Sequence, residues 1–311
     1  MDTHAVVIVS PRKLELQTLP LAASGSGEVL VDVELSGIST GTERLLWSGE
    51  MPEFPGMGYP LVPGYESIGT VARADAESGL SVGDRVFVPG ASCYGSIRGL
   101  FGGTASRVSV APARLTRIGT MGEEATLLAL AATAEHALAS GSGAPADLIV
   151  GHGVLGRLLA RLSVLRGGAP VVWEANPERM GGERSYRVTT PEAETRRDYQ
   201  TIYDASGDPA AIDGLIGRLR RGGELVLAGF YPGSVSFAFP PAFMREVRVR
   251  IAAEWQPADL EAVLAYHREA RLDLDGLVTH RMPASRAALA YETAFTDPSC
   301  LKMLIDWRSG S

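Results

Sequence analysis

The stretch Asp147-Leu148-Ile149-Val150-Gly151-His152-Gly153-Val154-Leu155-Gly156 decides the fold. A short apolar run of strand type enters a G-x-G-x-x-G loop, and residues 154–165 then read as a helix. In that setting each glycine has a task. Gly151 makes the tight turn, Gly153 lets a pyrophosphate approach the backbone, and Gly156 lets helix and strand pack closely. The phosphates would sit at the helix amino end, beside Val154 and Leu155, where free N–H groups and the helix dipole favour anions. The next predicted strand, 170–174, ends on Glu174. A carboxylate there accepts hydrogen bonds from both adenosine ribose hydroxyls and repels a 2′-phosphate, so the pattern favours NAD over NADP. Arg179, five residues on, is the competing detail, because a guanidinium could meet a 2′-phosphate. His152 reads as a spacer within the loop. The plain alternative is a glycine-rich turn that holds no ligand.

Working outward from this loop, strands and helices alternate: strands at 147–150, 170–174, 186–189, 200–205, 224–228 and 247–252, helices at 154–165 and 209–219. Such alternation predicts a parallel sheet flanked by helices. An alanine- and leucine-rich segment, 123–139, is a helix by propensity. Upstream the texture differs. Short β-type runs at 5–9, 28–35, 67–72, 85–88 and 107–110 are separated by turn-forming residues such as Ser24-Gly25-Ser26-Gly27 and Val82-Gly83-Asp84, which predicts an antiparallel β domain or barrel. After the alternating region come a helix at 257–271, a short strand at 277–280 and a helix at 283–295. The expected division is 1–125, 126–256 and 257–311.

The 311 residues are 45% hydrophobic and 21% charged, ordinary globular chemistry with enough length for a sizeable core. A net charge of −7 without a basic block gives no electrostatic footprint for nucleic acid. No run approaches the ~18 apolar residues of a membrane span, and residues 1–10 do not read as a secretory signal, so the expected location is cytoplasmic. The two cysteines, Cys93 and Cys300, match no metal spacing and cannot build a four-cysteine zinc site.

The run from Tyr59 to Val71, which contains Pro63-Gly64-Tyr65-Glu66, and the following Val82-Gly83-Asp84-Arg85-Val86 resemble motifs of the medium-chain dehydrogenase/reductase superfamily. The resemblance covers essentially the whole chain. It implies an α/β protein: a GroES-like β-barrel catalytic domain, a Rossmann doubly wound parallel-sheet domain, and a carboxy-terminal return to the first domain. The departures from the zinc-dependent members are informative. Where those have Gly-Ile-Cys-Gly-x-Asp this chain has Gly37-Ile38-Ser39-Thr40-Gly41-Thr42, and their Gly-His-Glu is Gly64-Tyr65-Glu66. The third ligand position falls near Ala129. Hydroxyls and a methyl group do not hold zinc, so no metal is expected. The runs 36–43 and 94–103 and the Asp306-Trp307 end resemble a branch that oxidises the 3-(1-hydroxyethyl) side chain of a bacteriochlorophyllide to 3-acetyl, with NAD as acceptor. That resemblance implies a tetrapyrrole substrate from bacteriochlorophyll synthesis and a homodimer; peripheral contact with photosynthetic membranes during pigment hand-off stays open, with no anchor in the sequence.

Removing a hydride and a proton from a secondary alcohol without a metal requires a side chain or water to take the proton. Tyr65 and Ser39, at the former ligand positions, are the first candidates, with Thr40, Glu43, Glu66 and His136 as further polar groups. Glu43 and Glu66 have a structural alternative as paired buried carboxylates, and His136 one as a core histidine. By family position Thr133 lies near the nicotinamide and Lys302 reaches the pyrophosphate. Its plain alternative is a solvated surface lysine. Ser206, Gly229 and Phe230 sit in turns that end later strands on the ligand-binding edge of the sheet. A flat apolar macrocycle needs a wide apolar slot, and Trp47, Met51, Phe54, Met57, Tyr59, Tyr94, Ile97 and Phe101 in two loops, with Phe230 and Tyr231 opposite, are its expected walls. Folding inward as ordinary core is their alternative. Arg98 could pair with a substrate carboxylate. Two other functions stay open: a zinc-free quinone or enoyl reductase, which would normally prefer NADPH, and a non-catalytic NAD-binding sensor.

Overall fold

A computed structural model describes residues 1–22, 27–141, 143–182 and 185–308. The predicted turn at Ser24-Gly25-Ser26 lies outside these. The chain divides into two compact units, Met1–Ala129 with Leu277–Ser311 and Leu130–Gly276.

The first unit is built mainly on antiparallel strands, with a parallel pairing between residues 61–63 and 98–100. They are β1 (Asp2–Ser10), β2 (Lys13–Pro20), β3 (Val29–Ile38), β4 (Leu61–Pro63), β5 (Ser67–Arg73), β6 (Arg85–Val88), β7 (Arg98–Leu100), β8 (Arg107–Val110) and β9 (Thr116–Arg117). A short helix, α1 (Thr42–Ser48), follows β3. One sheet has the order β2-β1-β4-β7. In the other, β3 pairs with β5 and β8, β5 with β6, and β6 with β9. Ala5, Val6, Val7 and Ile8 on β1 and Val29, Val31 and Ile38 on β3 are all fully buried. β1 therefore reads as an apolar run, whereas β3 alternates over residues 31–35, with Asp32 and Glu34 half-buried between Val31, Val33 and Leu35. The sequence reading overlooked β2, whose Leu14, Leu16 and Leu19 keep no period of two and of which only Leu19 is buried.

The second unit contains α2 (Leu128–Ala139), β10 (Leu148–Val150), α3 (Val154–Leu165), β11 (Val171–Trp173), β12 (Arg187–Thr189), β13 (Tyr199–Asp204), α4 (Ile212–Ile216), β14 (Leu219–Leu227), α5 (Phe239–Arg245), β15 (Arg248–Ile251) and α6 (Pro257–Arg268). Its six strands are parallel in the order β12-β11-β10-β13-β14-β15. The order reverses beside β10, the switch point where doubly wound sheets bind ligands. Helix α4 is far shorter than the expected 209–219, because the chain has already entered β14 at Leu219.

The chain then returns to the first unit through β16 (His280–Pro283), α7 (Ala287–Thr296) and β17 (Met303–Asp306). The expected boundary at 257 is corrected to 277. Helix α6 buries Leu260 and Val263, and its Asp259 bonds to His136 on α2, so it belongs to the parallel-sheet unit. The strand expected at 277–280 instead begins at His280. β17 runs antiparallel to β3 with Met303 opposite Ile38, a register that matters for the site.

Candidate active site

In the parallel-sheet unit, Gly151 adopts φ +96°, a conformation that disfavours any side chain. A Cβ on Gly156 would lie 1.8 Å from the Gly151 carbonyl oxygen, whereas a Cβ on Gly153 would project into open space. The loop thus closes tightly on itself at Gly156 and leaves room over Gly153 at the start of α3, where Val154 and Leu155 follow. A dinucleotide phosphate fits this cradle. Glu174 leaves the end of β11 and turns back toward the loop. Its Oε2 accepts the His152 N–H at 3.1 Å and its Oε1 the Asn176 N–H at 2.8 Å.

His152 does more than space the glycines. Its Nδ1 lies 2.6 Å from the Arg179 carbonyl, which can only accept, so that nitrogen carries the proton; Nε2 is 2.9 Å from the Tyr186 hydroxyl. Arg157 donates to the carbonyls of His152, Arg179 and Gly181. The backbone around Arg179 is thereby tied to the glycine loop.

Farther along the sheet edge, buried Asp204 ends β13 and organises two turns. Its Oδ1 accepts the Ser206 N–H at 2.8 Å and the Ser206 hydroxyl at 2.6 Å, and its Oδ2 accepts the Tyr231 hydroxyl. A Cβ on Gly229 would come within 2.8 Å of the Gly207 nitrogen, so the turns at 205–207 and 229–231 abut. Phe230 is half exposed. Tyr231, expected to wall a substrate, directs its hydroxyl into Asp204 instead. An acid closing a strand was the available clue to Asp204, since Glu174 closes its strand in the same way. Thr133 is half-buried on α2. His136, expected as a proton relay, is fixed by Asp259 at 2.9 Å, and Asp259 also accepts the Gln256 N–H that starts α6. That pairing matches the core-histidine alternative.

In the first unit Ser39 and Tyr65, the first candidates for handling the proton, meet. Ser39 Oγ and the Tyr65 hydroxyl are 2.6 Å apart. Ser39 is buried at the end of β3; Tyr65 and Thr40 are half-buried. Burial, and then repulsion from Glu66, pushes the Tyr65 phenol well above its usual range, against hydrogen bonds from Ser39 and Thr42. Tyr65 is therefore neutral at neutral pH. Glu43 accepts the Ser39 N–H at 3.1 Å through Oε1 and the Tyr291 hydroxyl at 2.6 Å through Oε2. Burial raises the Glu43 carboxyl to about 7. Sequence reading missed Thr42 and Tyr291. The latter reaches Glu43 from α7 and carries no local motif.

Two expectations need correction. Lys302 neither reaches out to a phosphate nor sits solvated at the surface. It is 1% exposed, and its ammonium donates to Glu66 Oε2 at 2.5 Å and to the Ile38 carbonyl at 3.2 Å. Glu66 is fully buried in this pair, so it is not poised to contact a substrate. The reason is register: β17 delivers Lys302 to the end of β3.

The aromatic loops divide. Phe101 packs edge-on against Tyr65, ring centroids 5.5 Å apart, and Phe54 and Arg98 are exposed. Tyr94 is 3% exposed with its hydroxyl on the Gly102 carbonyl, so it is core rather than wall. Tyr59 bonds the Leu46 carbonyl and, with Met57, packs on the cluster that holds buried Met51. Trp47 packs against Phe295, centroids 5.4 Å apart, and Ile97 against the barrel core.

Zinc, which such folds often carry, finds no fitting donors here. The two hydroxyls bond each other, and among the described residues no group of three or more His, Cys, Asp or Glu could hold a metal.

Residues 25–133 match the alcohol dehydrogenase GroES-like domain family. The solved structure of a short chain alcohol dehydrogenase from Escherichia coli, complexed with NADH, superposes with a TM-score of 0.82 at 19% identity, covering 98% of this chain and 99% of that one. A thermostable alcohol dehydrogenase from Pyrobaculum aerophilum gives 0.83 at 23% identity, covering 98% and 100%. These likenesses speak to the fold. The class is thus the medium-chain dehydrogenases/reductases. The 2-desacetyl-2-hydroxyethyl bacteriochlorophyllide A dehydrogenases of Rhodobacter capsulatus and Cereibacter sphaeroides are 58% and 55% identical, each over 99% of both chains. The chain belongs to this family of dehydrogenases.

Proposed function

We propose that this protein oxidises the 3-(1-hydroxyethyl) group of a bacteriochlorophyllide to 3-acetyl, with NAD as hydride acceptor and without zinc. The observation that carries the mechanism is the 2.6 Å contact between Ser39 and Tyr65 at the positions where zinc-dependent relatives place ligands. Full-length similarity to two dehydrogenases named for the hydroxyethyl pigment supports the substrate.

Held at the glycine loop of Gly151, Gly153 and Gly156, a nicotinamide cofactor would supply the hydride acceptor for the alcohol carbon. The chain's own residues handle the remaining proton. Tyr65, neutral at neutral pH, receives the alcohol hydrogen bond on its phenol oxygen, and Ser39 fixes the phenol's orientation. The proton is relayed through the hydroxyls to water as the carbonyl forms, so tyrosinate is not the resting base. Phe101, edge-on to Tyr65, offers apolar contact for the macrocycle. The glycine loop would hold the pyrophosphate and Glu174 the adenosine ribose, which favours NAD over NADP.

The outer strand β15 and helix α5 favour a homodimer. β15 pairs on one side with β14, and Ile251, Phe243 and Met244 are 75%, 65% and 71% exposed, an unusual apolar edge to leave in water. No helix among the described residues is long and apolar enough to cross a membrane. The membrane contact proposed for pigment hand-off is peripheral.

The test mixes purified protein, NAD and the hydroxyethyl pigment while the macrocycle's long-wavelength band is followed. Conversion to the acetyl pigment with matching NADH supports the reading. Binding of NAD with an unchanged pigment spectrum would favour a sensor.

A further inference from the structure

We propose that Lys302 is a positioning residue for the oxidation, clamping the two segments that carry Ser39 and Tyr65. This rests on the function proposed above. Lys302 lies one residue before β17, and the antiparallel register that sets Met303 opposite Ile38 brings its side chain to the end of β3. There one ammonium donates both to the Ile38 carbonyl at 3.2 Å and to Glu66 Oε2 at 2.5 Å. Ile38 directly precedes Ser39, and Glu66 directly follows Tyr65. A single buried cation therefore spans the peptide units adjoining both members of the hydroxyl pair.

Packing around the clamp is tight. The Gly37 N–H donates to the Glu66 carbonyl at 2.8 Å, and a Cβ on Gly37 would fall 2.6 Å from Glu66 Oε2. Glu66 Oε1 is buried without a hydrogen-bond partner among the described residues, so the carboxylate depends on Lys302 for compensation. Ser39 has a separate anchor in Glu43, which Tyr291 holds. Loss of the clamp should thus shift the hydroxyl pair while the barrel stays folded. Burial to 1% and 0% exposure keeps the pair from solvent, and removing one partner alone would strand an uncompensated charge.

The test is the double variant Lys302→Met/Glu66→Leu, which replaces the ion pair with apolar side chains and avoids that stranded charge. The expected result is a melting temperature close to wild type, kcat for the hydroxyethyl pigment lowered by about 100-fold, and an unchanged KM for NAD. A crystal structure of this variant should show Ser39 and Tyr65 beyond hydrogen-bond distance. Wild-type kcat in the double variant, or a raised KM for NAD with kcat preserved, would overturn the proposal. If the double variant does not fold, Lys302→Arg keeps the charge but changes its reach: lowered kcat at wild-type stability supports the clamp, and full activity contradicts it. Should wild-type protein prove inactive on the pigment, the functional reading fails by itself. The Ser39–Tyr65 distance in the variant then still decides the clamp, and an unaltered distance refutes it.

Discussion

Ser39 Oγ and the Tyr65 hydroxyl lie 2.6 Å apart, joining the end of β3 to the segment before β5 across 26 residues of sequence. Each hydroxyl there satisfies the other, and under the proposed mechanism the pair takes the place that a metal ligand set would otherwise hold.

Removing the phenol oxygen should damage chemistry and spare cofactor binding. Tyr65→Phe is expected to lower kcat by about 10²- to 10⁴-fold, the range for a positioned proton-transfer group, with KM for NAD unchanged. Ser39→Ala should cost less, because the phenol oxygen that meets the alcohol remains while its orientation and one hydroxyl of the relay, which water can replace, are lost. Steady-state kinetics with both substrates varied separates the two effects.

Glu43 gives the fold a pH dependence. Its carboxyl ordinarily titrates near 4.5 and is raised to about 7 in the folded barrel, chiefly by burial. Between those values the folded state binds more protons than the unfolded chain, so stability falls as pH rises through this window. The full effect, reached above pH 7, is about 3 kcal/mol at ~1.4 kcal/mol per unit. Glu43→Gln carries no titrating proton and should flatten the profile. Thermal melts from pH 4.5 to 8 provide the check; an equally steep decline in the variant would contradict it.

Glu174 should set cofactor choice. With both its oxygens held by backbone N–H groups of His152 and Asn176, the carboxylate is fixed against the glycine loop. Glu174→Ser is expected to raise KM for NAD and shift the NADP-to-NAD preference by about one to two orders of magnitude, the worth of a charged hydrogen bond. Comparing kcat/KM for the two dinucleotides measures it.

The loop itself tolerates no methyl at its third glycine. Gly156→Ala places a carbon 1.8 Å from the Gly151 carbonyl, and the forced shift of α3 should destabilise the protein by ~1–3 kcal/mol. Denaturant unfolding and NAD titration should both register the change.

Exposure of Ile251, Phe243 and Met244 along the outer edge predicts a dimer. Light scattering should report twice the chain mass for wild type and a monomer for Ile251→Lys. A wild-type monomer would refute the assignment.

Much of this architecture is legible in the sequence. The loop from Gly151 to Gly156 points to the parallel sheet, because Gly151 at φ +96° and the close approach at Gly156 are backbone demands that other residues meet poorly. The bounds of α3, β6 and β8 follow from local pattern alone. The hydroxyl pair was also readable, through the substitutions at two motif positions. What escaped depends on long-range register. Nothing near Lys302 tells that β17 will lay it beside Ile38, and a lysine seen in isolation suggests solvent or phosphate. Tyr291 reaches Glu43 across 248 residues, and Tyr94 and Tyr231 look like exposed ligand walls until buried carbonyl and carboxylate partners claim their hydroxyls.

The central claim is alcohol oxidation by a metal-free hydroxyl pair. It is tested most directly by dialysing the purified protein against a strong chelator, verifying by elemental analysis that zinc is absent, and following hydroxyethyl pigment and NAD together. Undiminished formation of acetyl pigment and NADH in equal amounts is the predicted result. Activity that vanishes with the metal and returns on adding zinc would contradict the account.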